Sequence, residues 1–193
     1  FITALILLFF ILMCLVVAIT RGLDVNDKFP SLFKNKNMAY LEPKNSSVAN
    51  AEIRRVAFLL LENFSLMAFT GAVDALITTN LMRSKKIYEV LVVGCEEGAT
   101  VSDLGIEVKN ETSLSALDIN ASQIDMLIVC GGLRVRPIST ALIRNKLRTA
   151  SSKGVALGGL WNGAYFLAEA GLLNGYQCAY HPDGRAMMLE AFR

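Results

Sequence analysis

The rhythm of apolar and polar positions changes twice along the chain. Residues 1–20, FITALILLFFILMCLVVAIT, contain no charge. As a helix rising about 1.5 Å per residue, they would span roughly 30 Å, the thickness of a bilayer core. Residues 21–52 are polar, Asn-rich and aperiodic, the texture of a linker. From Ile53 to Arg193 short apolar runs alternate with stretches of helical spacing.

The first of these runs, RRVAFLLL (Arg54 to Leu61), is continuous rather than alternating, as expected of a parallel strand covered on both faces. SLMAFTGAVDALITTNLM follows with helical spacing and Ser65 as its N-cap. YEVLVVGC reads as a second strand, and VSDLGIEVKNETSL as short extended pieces around Gly105. IDMLIVCGG is the next buried strand, and TALIRNKLRTASSKG a helix closed by Gly154. GVALGGLWNGAYFLAEAGLLNG begins with a strand over Val155, Ala156 and Leu157. It then reads as a glycine-lined turn at Gly158 and Gly159 and a helix from about Gly163. YQCAYHP is a last short extended piece. Strands alternating with helices predict a three-layer α/β/α sandwich around a mostly parallel, flavodoxin-like sheet.

The N-terminal segment has two readings. It is a spanning helix whose following basic residues (Arg21, Lys28, Lys34, Lys36) keep the remainder cytoplasmic. Alternatively it is translated upstream sequence, with Met38 the true start. A formal charge of +2 and a pI near 8.4 are too balanced to indicate nucleic-acid binding. Basic residues do concentrate between Met126 and Ala168, where no acid occurs, and Arg144 and Arg148 share a helix face. The four cysteines (Cys14, Cys95, Cys130, Cys178) show neither CxxC nor metal-ligand spacing, which indicates a reducing compartment. Matches to N-x-[ST] at Asn45, Asn63, Asn110 and Asn120 read as chance, since Asn63 and Asn120 border core elements.

Ligands of parallel sheets sit at the carboxyl ends of the strands. That rule selects Glu62 and Asn63, Gly131 and Gly132, and Trp161 and Asn162, which can converge on one crevice. A sharp strand-turn-helix junction is where many α/β enzymes hold a nucleophile, but here the place belongs to Trp161. An indole offers only an N–H donor and can act neither as nucleophile nor as general base. It either plugs the elbow or walls a pocket, where a cationic ligand over its face would gain roughly 0.5–2 kcal/mol. Glu62 would then add a counter-charge. The single histidine, His181, is a structural residue or a ligand contact.

FLLLENFSLMAFTGAVDALITTN, DMLIVCGG, GVALGGLWNGAYFLAEAGLLNG and CAYHPD together resemble the class I glutamine amidotransferase-like (PfpI superfamily) domain. In AraC-type transcriptional regulators this domain forms the N-terminal sensor half. The resemblance runs from about Ile53 to the end. It implies that Trp161 replaces a cysteine nucleophile, Ala68 a supporting acid and Asn162 a neighbouring histidine. It also implies that Gly131 and Gly132 line the former oxyanion region and that His181 follows the elbow helix. The implied protein is a non-catalytic sensor of a small amine or amino-acid-derived metabolite, without cofactor, in a homodimer. DNA would be bound only through a helix-turn-helix domain beyond this chain. Two rival readings are a PfpI-like hydrolase or glyoxalase using Cys130, and a membrane-tethered binding module in contact with lipid through residues 1–20.

Overall fold

The computed structural model describes residues 53–83, 86–136, 139–176 and 188–190. The apolar segment, the linker, the YQCAYHP piece, Cys14, Cys178 and His181 lie outside the described residues. Among those described, no helix is long and apolar enough to cross a membrane.

Among the described residues, seven strands and three main helices follow in the expected order. They are β1 (Arg54–Leu60), α1 (Leu66–Arg83), β2 (Tyr88–Gly94), β3 (Ala99–Val101), β4 (Glu107–Lys109) and β5 (Thr112–Ser113). β6 (Met126–Cys130), α2 (Ala141–Ser152), β7 (Ala156–Leu160) and α3 (Gly163–Glu169) complete the order. The main sheet runs β5-β2-β1-β6-β7 with every pairing parallel, the flavodoxin-like arrangement. β3 and β4 form a separate antiparallel hairpin around the turn at Gly105.

Continuous apolar strands are explained by burial on both faces. Along β1, Val56, Phe58 and Leu60 enter a cluster with Phe64, Ala68 and Phe69 on the α1 side. Ala57, Leu59 and Leu61 alternate into a second cluster with residues of α2 and α3. Phe69 meets Phe58 and Phe64 edge-on at 5.5 and 5.6 Å, contacts worth about 0.5–1.5 kcal/mol each beyond their buried area. α2 buries Ile143, Leu147 and Ala150 at helical spacing, and its Thr140 hydroxyl accepts from the Ile143 N–H at 3.2 Å.

One expectation is corrected. Gly158 and Gly159 belong to β7 rather than to a turn; the turn is Trp161 and Asn162. Glycine is required there by proximity: a Cβ on Gly159 would stand 2.5 Å from the Ala164 nitrogen, so its absence lets α3 lie directly on the strand. Ser65 does immediately precede α1. The carboxylate that meets the helix start, however, is Asp103, which accepts from the Leu66 N–H at 3.1 Å.

Candidate functional site

At the carboxyl edge of the sheet the loops after β1, β6 and β7 come together. Trp161 has φ +55°, in the left-handed region, and so reverses the chain from β7 into α3 within two residues. For a bulky side chain this backbone costs about 1–3 kcal/mol and persists only where its surroundings impose it. Those surroundings are glycines packed against backbone. A Cβ on Gly163 would lie 2.1 Å from the Val129 carbonyl oxygen, and one on Gly132 would lie 2.6 Å from that of Asn63. Asn63 is itself at φ +63°, a conformation asparagine tolerates better than most residues.

Hydrogen bonds lock the junction. The Gly132 N–H donates to Asn162 Oδ1 at 2.9 Å, the Gly131 N–H to the Leu160 carbonyl at 3.1 Å, and the Ser65 N–H to the Gly131 carbonyl at 2.9 Å. Asn162 Nδ2 donates to the Val135 carbonyl at 3.4 Å. The two N–H groups expected to line an oxyanion region are therefore engaged within the protein. Asn162 acts as a strut between the β6 loop and the elbow.

The three loops do meet, but their side chains part to opposite faces of the sheet. Trp161 packs against the α1-side cluster that contains Ala68 and Cys130. Glu62 and Asn63 border a cavity of 430 Å³ on the other side, and Trp161 is not among its lining residues. This volume lies within the range of small-molecule sites. Its apolar part is Leu61, Val135, Ile143 and Phe166, and its charged groups are Glu62 and Arg136, both exposed. The cavity sits between the ends of β1 and β6, whose helices α1 and α2 cover opposite faces, the switch point of the sheet.

Arg136 was not among the residues singled out from sequence, since it read as one more charge in a basic region. Its place six residues after β6 was the available signal. Of the other basic residues, Arg148 donates through Nε to the Ala170 carbonyl at 2.8 Å. Lys146 donates to the Leu117 carbonyl.

The described thiols are poor nucleophiles. Cys130 is buried in the α1-side cluster, and burial pushes its thiol far above the ordinary range. Cys95 borders the cavity and is half-buried; burial first, then the nearby Glu96 and Glu62 charges, raise it as well. Thiol attack requires the thiolate, which both environments disfavour. Among the described residues no group of acids, cysteines or histidine is placed to hold a metal ion.

Comparison with known proteins gives a consistent picture. The family model described as DJ-1/PfpI family matches residues 54–192. The HTH-type transcriptional regulator GbdR of Pseudomonas aeruginosa is 30% identical over 143 residues, covering 74% of this chain and 38% of the regulator. The HTH-type transcriptional regulator CdhR of the same species is 34% identical over 136 residues, covering 70% of this chain and 39% of the regulator. This chain thus spans about two fifths of the length of these relatives. A crystal structure of an AraC family transcriptional regulator from Pseudomonas putida is 40% identical, covers 71% of each chain and superposes with a TM-score of 0.64.

Proposed function

This chain belongs to the DJ-1/PfpI family, and from that premise we propose that it is the non-catalytic sensor domain of an AraC-type transcriptional regulator. It binds a small amine or amino-acid-derived metabolite and passes that signal to a helix-turn-helix domain beyond this chain, which contacts DNA in the cytoplasm. The regulators named above support the class of protein. The observation that carries the reading is the elbow. It keeps the left-handed backbone of a nucleophile's seat and fills it with Trp161, beside an open cavity bearing one acid and one base.

In this reading Glu62 meets the ligand's cation and Arg136 its anionic end, while Leu61, Val135, Ile143 and Phe166 receive its apolar part. Asn63, Gly131, Gly132 and Asn162 hold the cavity wall in shape through their backbone packing. Trp161 fills the elbow on the opposite face of the sheet, away from the cavity, and His181 lies outside the described residues. Ligand binding changes DNA engagement only through unequal affinity for two conformations, so the relevant quantity is a difference in binding free energy.

The test uses the fact that Trp161 is the only tryptophan in the chain. Titration with arginine, betaine and carnitine should shift its fluorescence and raise the unfolding temperature of the same sample. Absence of both responses at millimolar concentrations sinks the sensor reading. Cys130→Ser should leave the response intact. Turnover that disappears in Cys130→Ser but survives in Cys95→Ser would favour the Cys130 enzyme instead.

A further inference from the structure

A net charge of +2 hides a strong segregation of charge. The acids gather between Glu89 and Asp125, where Lys109 is the only base, whereas from Met126 to Ala168 there is no acid at all. The sheet order turns this difference in sequence into a difference in space, since β2 and β5 form one end of the sheet and β6 and β7 the other. Helix α2 joins β6 to β7 and packs against β7 and α3, so it belongs to the positive end. Arg134, Arg136, Arg148 and Lys153 are exposed there, and Arg144 and Lys146 half-exposed. Among the described residues the ion pairs are Arg54–Asp125, Arg55–Glu89 and Lys86–Glu89, none of which involves α2. Asp118, in the loop beside α2, turns its Oδ1 to the Asn120 and Ala121 N–H groups at 2.8 and 3.2 Å. Lys146 bonds instead to the Ser115 and Leu117 carbonyls.

We propose that the outer face of α2 contacts the phosphate backbone of duplex DNA and so adds to the grip of the helix-turn-helix domain, an inference that rests on the regulator reading above. Three observations choose this partner. The first is residue type. Arg144, Asn145, Arg148, Thr149, Ser152 and Lys153 lie along one side of the helix, and they are the hydrogen-bond donors that phosphate oxygens take. The second is length. From Arg144 to Lys153 the helix rises about 14 Å, which runs past about four phosphates of a DNA strand. The third is position. Met188 packs against the cluster that holds Ile143, Leu147 and Ala150 of α2, so the C-terminal segment that would lead to a DNA-binding domain runs on the same side of the sheet. The cations are also held in place. Arg144 donates through Nη1 to the Ser139 carbonyl and Arg148 through Nε to that of Ala170 at 2.8 Å, which leaves their other N–H groups for phosphate. Such contacts read no base, so α2 adds affinity without sequence selectivity.

Fluorescence anisotropy of a labelled random-sequence DNA duplex, titrated with the full chain at several salt concentrations, tests this directly. The expected result is weak binding at low salt, with a dissociation constant on the order of 10⁻⁴ M that rises steeply as salt is added. Arg148→Gln and Lys153→Gln should each weaken binding by about threefold at low salt and flatten the slope of log affinity against log salt by about 0.9. Arg148→Lys keeps the charge and should keep most of the affinity, a rescue that a merely structural bond to Ala170 would not give. Lys109→Gln on β4 removes the same net charge at the acidic end and should leave binding unchanged. Circular dichroism should report an unchanged fold in each variant. If Arg148→Gln misfolds, Lys153→Gln still decides, since that side chain is exposed. No binding at low salt, equal losses in Lys109→Gln, or affinity indifferent to Arg148→Gln and Lys153→Gln overturns the proposal. So does equally tight binding of polyglutamate, which would make an acidic protein segment the partner. An amine response in a chain that ignores DNA would sink this surface and leave the sensor reading intact; DNA binding through Arg148 in a chain deaf to amines would do the reverse.

Discussion

The elbow and the cavity lie side by side on the carboxyl edge of one sheet and share the loops after β1 and β6, yet they answer to different constraints. At the elbow, Gly159, Gly163, Gly131 and Gly132 each face another backbone at a distance no side chain allows, and Asn162 spends its amide on two main-chain partners. At the cavity, Glu62 and Arg136 are exposed and the apolar lining leaves 430 Å³ empty. The elbow is architecture whose residues are fixed by contact. The cavity is a surface whose residues are free to be chosen for what they bind. Substitutions should therefore separate the two: large losses of stability with no chemical selectivity at the elbow, and small ones with a changed ligand response at the cavity.

Gly163→Ala should have the largest effect. Its new methyl would fall 2.1 Å from the Val129 carbonyl oxygen, a backbone atom of a central strand that cannot rotate away. The gain in helix propensity is under about 1 kcal/mol, so the net loss should be about 3 kcal/mol in urea denaturation. A loss below 1 kcal/mol would mean that α3 lifts off β7 easily and that the elbow is not the rigid half.

Asn162→Ala comes next. It strands the Gly132 N–H in a buried position and removes the link to Val135, for an expected cost of about 2 kcal/mol. Asn162→Asp keeps the acceptor for Gly132 and loses only the donor, so it should recover part of that loss. Equal costs for the two variants would show that the Gly132 bond is not what holds the loop.

Thr140→Ala lies on the border between the halves. The hydroxyl caps α2 and also lines the cavity. Stability should fall by about 1 kcal/mol, the usual value of such a cap. Because the helix start would fray next to the cavity, the amine response should weaken in parallel. An unchanged response would confine ligand binding to the β1 loop.

The same contrast explains what could be read from the chain. The parallel sheet was legible because RRVAFLLL, YEVLVVGC and IDMLIVCGG are continuous apolar runs, a pattern that two-sided burial imposes. The convergence of the three loops was legible from the strand-end rule. The glycines of β7 were misread because sequence shows that glycine is required but not whether a turn or a neighbouring backbone requires it. Nor could sequence show that Trp161 and Glu62 leave the edge toward opposite faces. That parity depends on where each strand ends, and the end of β7 lies three residues beyond the expected one. Arg136 went unnoticed because a charge on a cavity rim and a charge in water look alike without the cavity.

Glu62→Gln should have the smallest effect on the fold and the sharpest on ligand response. The side chain is exposed and makes none of the elbow's contacts, so stability should stay within about 0.5 kcal/mol of the parent. Removing the charge deprives a bound cation of its counter-ion, and amine affinity should fall about tenfold, read from displaced thermal-shift and Trp161 fluorescence titrations. The thiol of Cys95 gives a second readout. Glu62 is one of the charges that raise its pKa, so neutralising it should let Cys95 ionise at lower pH and alkylate faster between pH 7 and 9. Faster alkylation with unchanged amine affinity would place Glu62 at the cavity and the ligand elsewhere, leaving Trp161 as the contact to test. Weaker affinity with unchanged alkylation would mean that Glu62 meets the ligand outside the cavity that Cys95 borders, and the division between closed elbow and open cavity would have to be redrawn.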